Sequence, residues 1–340
     1  MKAIQYSRPR EWGVVELPDL SPKSGEVLIR VLRAGICGTD LHLHDGEFGP
    51  TYPLTPGHEI AGEVADIGTD VLSLKIGQRV VIDNCYQCGE CAQCRRKLAN
   101  FCHKTVAQGV NAQGGFAEFI IARENRCFVV DDLDLDVAVF AEPVACVVHG
   151  LDQLALAPGS RVLIFGAGPT GLILAQLISK NSGSDLTVAA STKFKLDIAI
   201  DRGATKIVQI DRKNVMVAIK ELSDISPDGF DVVIDATGSL DILNQAIKLT
   251  RTGGMIFVYG MTSESAIWEV SPYEIFRREL TIKGSFAQAY SFDRALSMLR
   301  SGDVDTSDFI THRFGLHDYA EALEMTAASS CIKAIIEPLR

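Results

Sequence analysis

The stretch Arg161–Gly171, RVLIFGAGPTG, limits what this chain can fold into more than any other. Its apolar run Val162–Phe165 reads as a buried strand, and the following LILAQLISK reads as a helix. Between them Gly166, Gly168 and Gly171 stand in the spacing G-x-G-x-x-G, with Pro169 and Thr170 inside the motif. One glycine makes a tight turn, one lets backbone approach a pyrophosphate, and one lets helix pack closely on strand. The start of the helix then offers free N–H groups and a positive dipole end to phosphate. A strand that feeds a helix in this way predicts a dinucleotide-binding, doubly wound sheet. The competing use is a glycine turn in such a sheet that binds nothing.

From about Leu151 strands and helices keep alternating. RVLIF, LTVAA, KIVQI, FDVVIDA, GMIFVYG and LTIKG predict six parallel strands with helices between them. A dinucleotide is expected across the carboxyl ends of these strands, beside Thr237–Gly238 and Tyr259–Gly260. The end of the second strand decides the cofactor. Folds that prefer NAD place an acidic side chain there for the ribose hydroxyls, whereas here Ala190, Ser191, Thr192 and Lys193 follow. A carboxylate beside a 2′-phosphate would cost roughly 4 kcal/mol per charge pair at ~4 Å and an effective dielectric of ~20. Without that repulsion Ser191 and Lys193 can hydrogen-bond and neutralise the phosphate, which predicts NADP over NAD.

The residues before Leu151 have a different texture. MKAIQY, WGVVEL, EVLIRVLRAG, IAGEVADIG and QRVVID read as short strands separated by Pro- and Gly-bearing turns, so a small β-barrel with long loops is expected. With 340 residues there is room for two cores. The expected division is a first domain over 1–150, completed by 286–340, and a nucleotide domain over 151–285. SFDRALSMLRSG and DYAEALEMTAASS read as amphipathic helices of the returning segment, and CIKAIIEPL as its final strand. A formal net charge of −10 argues against nucleic acid or an anionic membrane as partner. The most apolar stretch, Val162–Ile178, is broken by three glycines and a proline and predicts no membrane span. Met1–Pro9 carries no apolar signal core, and clustered cysteines suit a reducing compartment, so a cytoplasmic protein is expected.

The loops of the first part hold the reactive residues. Cys88, Cys91, Cys94 and Cys102 follow the pattern C-x2-C-x2-C-x7-C. Four thiolates at this spacing close a tetrahedral zinc site with no open corner, which makes that metal structural; an iron–sulfur or redox cluster is the competing use. Cys37 in CGTDLH and His58–Glu59 in PGHE offer a thiolate, an imidazole and a carboxylate from separate loops. Such a set suits a catalytic zinc with one position open to substrate. Adjacent residues on a regular strand point to opposite faces, so His58 and Glu59 can share a metal only on irregular backbone. The Pro56–Gly57 lead-in makes room for that irregularity.

Taken together, GICGTDLH, PGHE, the four-cysteine loop, FAEPVAC and GAGPTG, in this order over nearly the whole chain, resemble the zinc-dependent medium-chain alcohol dehydrogenases, within them the sorbitol or polyol dehydrogenase branch. The resemblance implies a GroES-like catalytic domain carrying both zincs and a Rossmann domain, an α/β protein overall. It implies Cys37 and His58 as catalytic zinc ligands, with Glu59 or Glu142 of the FAEPVAC segment as the third; the sequence does not rank them. Thr39 and His42 resemble the family's proton relay, and Phe48 and Arg278 fall where the family contacts substrate. The implied reaction is reversible oxidation of a secondary alcohol of a polyol with NADP, by a homodimer or homotetramer in which GMIFVYG and LTIKG form a sheet edge. L-Threonine, a simple alcohol or a phosphorylated polyol are alternative substrates on the same scaffold, and a catalytically silent dinucleotide sensor is the non-enzymatic alternative.

Overall fold

Strand Glu26–Ile36 organises the first half of the molecule. Val27, Ile29 and Val31 alternate along it at full burial, the period of two expected when one face meets a core. In the computed structural model, which describes residues 1–340 apart from the side chains of residues 181 and 182, this strand sits inside a seven-stranded sheet. Glu59–Ile67 runs antiparallel along one side of it. Its other side is shared: Phe119–Arg123 pairs with the first half, and Lys333–Ile336 with the second. Arg79–Ile82, Cys127–Val129 and Ile310–Phe314 extend the sheet outward. The core is filled by Ile4, Ile29, Ile60, Phe116 and Tyr319, among others. The long return of the chain closes this sheet through Arg313, whose guanidinium reaches Asp136 and Glu337.

The chain divides into two compact units, Met1–Ala145 with Gln288–Arg340, and Cys146–Ala287. Helix Ala141–Leu154 runs across that division. The second unit is a six-stranded parallel sheet in the order Lys206–Gln209, Asp185–Ala190, Arg161–Phe165, Phe230–Asp235, Thr250–Val258, Thr281–Gly284. This is the doubly wound order, with the reversal beside Arg161–Phe165. Val162 to Phe165 are wholly buried, as a strand covered by helices on both faces requires. Helix Pro169–Ser182 buries Leu172 through Ile178 against the sheet.

Two sequence expectations change. CGTDLH is not a loop: Gly38–His44 is a helix, stabilised at its start by the Cys37 N–H donating to Asp40 Oδ2 at 2.9 Å. Its seven residues are too few to show a helical period. GMIFVYG is not an edge either, because Thr250–Val258 has a strand on each side, and of the two runs Thr281–Gly284 alone lies at a border. No helix among the described residues is long and apolar enough to cross a membrane.

Candidate active site

The sheet register assembles the first cluster. Gly35 lies opposite Glu59, and Ile36 opposite Ala334, so three segments far apart in sequence meet at one point. Gly35 is required there, since a Cβ on it would come within 1.9 Å of Glu59 Oε2. The irregular backbone that His58 and Glu59 need is supplied by Gly57, at φ +92°, where a Cβ would also strike the Phe116 ring at 2.5 Å. Cys37 follows directly on strand Glu26–Ile36 and caps helix Gly38–His44. One ligand atom each from Cys37, His58 and Glu59 then lies within 4.8 Å of the others.

The charges around this set are buried: Asp40, His58, Glu59 and Lys333 are each under 5% exposed. Burial favours the neutral form of His58, but Asp40, Cys37 and Glu142 outweigh it and hold the imidazole well above its ordinary pKa. Asp40 is itself pushed up by burial. His58 Nδ1 and Asp40 Oδ1, 3.7 Å apart, each lack a hydrogen-bond partner. The pocket therefore draws positive charge to a point among a thiol, an imidazole and carboxylates. A divalent, borderline-soft cation meets that demand, so the donor set fits zinc. Glu142, in the first turn of helix Ala141–Leu154, acts on His58 and Lys333 by charge and stands outside the compact set.

Lys333 is the residue that sequence reading missed. Its Nζ donates to Glu59 Oε1 at 2.6 Å and to the Ile36 carbonyl at 3.1 Å, and lies 2.5 Å from Glu59 Oε2. Burial opposes the ammonium, but Glu59, with Cys37 and Glu142 behind it, raises its pKa. Lys333→Met should cost about 3–5 kcal/mol by leaving Glu59 buried without its counter-charge. Denaturant titration checks this, and Lys333→Met combined with Glu59→Gln should recover most of the loss.

Thr39 Oγ1 lies 3.7 Å from Cys37 Sγ, which brings a hydroxyl to the edge of the cluster. On the same helix, His42 Nδ1 meets Glu47 Oε2. Phe48, in left-handed backbone at φ +72°, packs on the core of this unit. Arg278 belongs to the second unit, where its guanidinium donates to the carbonyls of Ile247 and Thr250 and pairs with Glu274.

The four cysteines form a second cluster. Sulfur–sulfur distances are 3.6 Å for Cys88–Cys102 and 4.0 Å for both Cys88–Cys94 and Cys91–Cys102. Tetrahedral geometry with Zn–S near 2.3 Å requires about 3.8 Å. Backbone N–H groups of Cys88, Cys91, Cys94 and Lys104 point at these sulfurs. The Cys94 N–H pulls the Cys91 thiol down to about 6, toward the thiolate that a metal binds.

In the second unit two glycines of the motif take the turn and the close-packing positions. Gly166 takes φ +109°, and a Cβ on Gly171 would meet the Gly166 carbonyl at 2.1 Å. A Cβ on Gly168 would meet no protein atom within 4 Å. Gly168 caps the helix without a side-chain bond, and Pro169 occupies its first turn, where a missing N–H costs nothing. Asp235, wholly buried and shifted up by desolvation, fixes the adjoining loops. Its carboxylate accepts from the Thr237 hydroxyl and from the N–H groups of Thr237 and Gly238, and its backbone carbonyl from the N–H groups of Tyr259 and Gly260. At the end of the second strand Ser191 and Lys193 follow Ala190, and Lys193 forms an ion pair with Asp197 one turn on.

Comparison with known proteins shows the family. Residues 23–132 match the model of the alcohol dehydrogenase GroES-like domain, and 169–301 that of the zinc-binding dehydrogenases. D-arabinitol dehydrogenase 1 of Uromyces fabae is 40% identical over 99% of this chain and 97% of its own. The chain belongs to the zinc-dependent medium-chain alcohol dehydrogenases, in their polyol branch. A zinc-binding dehydrogenase from Sinorhizobium meliloti 1021, bound to NADP, superposes with a TM-score of 0.91 at 30% identity, covering 99% of both chains. An alcohol dehydrogenase from Escherichia coli CFT073, complexed with NADH, gives 0.89 at 27% identity over 99% of both chains. This medium-chain dehydrogenase is therefore an enzyme with a GroES-like domain and a Rossmann-type sheet, acting on an alcohol with a nicotinamide cofactor.

Proposed function

We propose that this dehydrogenase reversibly oxidises a secondary hydroxyl of a polyol or sugar alcohol, with NADP as hydride acceptor. The observation that carries the chemistry is the meeting of Cys37, His58 and Glu59 within 4.8 Å, with the Thr39 hydroxyl alongside. Cys37 and His58 hold the catalytic zinc with Glu59 as third protein ligand, and Glu142 tunes the charge nearby. A second zinc sits in the Cys88, Cys91, Cys94 and Cys102 set. When bound, the catalytic ion would supply Lewis acidity, the effect that lowers the pKa of coordinated water to about 7.

The protein's own groups do the rest. Lys333 holds the Glu59 carboxylate in place. The Thr39 hydroxyl accepts the alcohol proton and His42 passes it outward, a shuttle suited to an imidazole. Gly166, Gly168, Pro169, Thr170 and Gly171 cradle the pyrophosphate, and Thr237 and Tyr259 lie on loops for the nicotinamide half.

The polyol assignment is supported by the D-arabinitol dehydrogenase relative. A panel of polyols, phosphorylated polyols, L-threonine and simple alcohols, read by cofactor absorbance, should give the highest kcat/KM with a polyol. A clear preference for any other class overturns this assignment. Turnover of none would favour the sensor reading.

NADP is supported by Ser191 and Lys193 and by the NADP-bound relative. Asp197 beside Lys193 works the other way. NADP should exceed NAD in kcat/KM, and a tenfold preference for NAD would overturn the assignment. The border strand Thr281–Gly284, with exposed Ile282, supports pairing with a second copy.

A further inference from the structure

We infer that Glu47 is a positioning residue of the proton relay, holding the His42 imidazole in one tautomer and one orientation. The inference rests on the reading of His42 as the relay's outward group. Helix Gly38–His44 ends in a Schellman turn. The Glu47 N–H donates to the His42 carbonyl at 2.9 Å, and the Gly46 N–H to the Leu43 carbonyl at 3.0 Å. Gly46 supplies the left-handed residue such a turn needs, at φ +86°, and a Cβ there would also strike the Pro9 ring at 2.5 Å. Phe48 and Gly49, at φ +72° and +64°, keep the chain curled back on the helix.

The consequence is local and specific. The backbone of Glu47 is tied to the same residue whose ring its side chain meets, with Oε2 2.5 Å from His42 Nδ1. Both side chains are about three-quarters buried. An ionised carboxylate only accepts, so Nδ1 of His42 carries the hydrogen and Nε2 keeps its lone pair. During alcohol oxidation Nε2 takes the proton that leaves the substrate through Thr39. The imidazolium then faces the Glu47 charge and releases the same proton from Nε2 to water. The hydride goes to the nicotinamide, and Glu47 is unchanged at the end of the cycle. Without an acceptor at Nδ1 the ring can adopt the other tautomer, in which Nε2 holds a hydrogen and takes none.

The test uses the full-length, zinc-loaded enzyme. In nitrogen NMR the His42 ring, assigned by its loss in His42→Ala, should show the hydrogen on Nδ1. In Glu47→Ala this signature should give way to mixed or Nε2-protonated signals, and kcat for alcohol oxidation should fall about tenfold with KM little changed. That is a fraction of the 10²–10⁴-fold typical of acid–base groups. Glu47→Gln keeps an acceptor oxygen and should restore both tautomer and most of kcat, while zinc content and melting temperature stay at the wild-type values. An Nδ1-protonated His42 persisting in Glu47→Ala, or an unchanged kcat there, overturns the role of Glu47. If His42→Ala slows turnover while Glu47→Ala does not, only this inference fails. If His42→Ala itself turns over at the wild-type rate, the relay reading falls and this one with it.

Discussion

Replacing Cys37 with serine should cut bound zinc from two ions per chain to one and slow alcohol oxidation by about 10³-fold or more, with the fold retained. The residue follows directly on a strand whose core positions, Val27, Ile29 and Val31, are untouched by the change. Serine keeps the size but offers a neutral hydroxyl where a soft thiolate stood, and zinc prefers the latter. Loss of a Lewis acid forfeits several kcal/mol of charge stabilisation in the transition state. About 4 kcal/mol corresponds to a factor of 10³. Metal analysis, circular dichroism and steady-state rates on one preparation check the three parts together. Loss of both ions with the fold would show that the two clusters are not independent, and full activity without the ion would remove Cys37 from the mechanism.

Cys94→Ala should have the largest effect on stability. The lobe between Cys85 and Ala107 has little apolar interior: Tyr86 and Ala99 are buried, whereas Leu98, Phe101 and Val106 are 43%, 49% and 39% exposed. The four sulfurs at its centre take the place of a core, and a structural zinc is worth on the order of 10 kcal/mol of apparent binding energy to the segment it folds. Removal of one thiolate should release that ion, open residues 87–104 to protease and lower the melting temperature by more than about 10 °C. The ion beside Cys37 should remain. Limited proteolysis with zinc analysis decides the matter; a variant that keeps two ions and resists cleavage would refute the structural assignment.

Much of this architecture could be read before any coordinates. The six parallel strands were legible because short runs rich in apolar residues, bounded by turn residues, alternate with helical stretches, and the glycine turn because its spacing has a mechanism. The four cysteines were legible for the same reason. Helix Gly38–His44 was not, being too short to display a period. Lys333 was not, because a lysine in CIKAII reads as the solvent side of a strand, and only the register with Ile36 turns it toward Glu59, 274 residues away. Glu47 and Asp235 were missed because their roles depend on which backbone groups the turns beside them present. The choice between Glu59 and Glu142 likewise depends on where Gly57 and Gly35 let the chain pass.

The pairing of Lys333 with Glu59 also joins segments made far apart in time during synthesis. A growing chain that has emerged past Glu59 already displays Cys37 and His58, but the ammonium that offsets the surplus negative charge is still to be made. Until strand Lys333–Ile336 docks beside Ile36, Glu59 has no ammonium beside it. Closure of the Cys37, His58 and Glu59 cluster therefore waits on a segment 274 residues beyond Glu59, whereas the four cysteines lie within fifteen residues of one another and can meet without it.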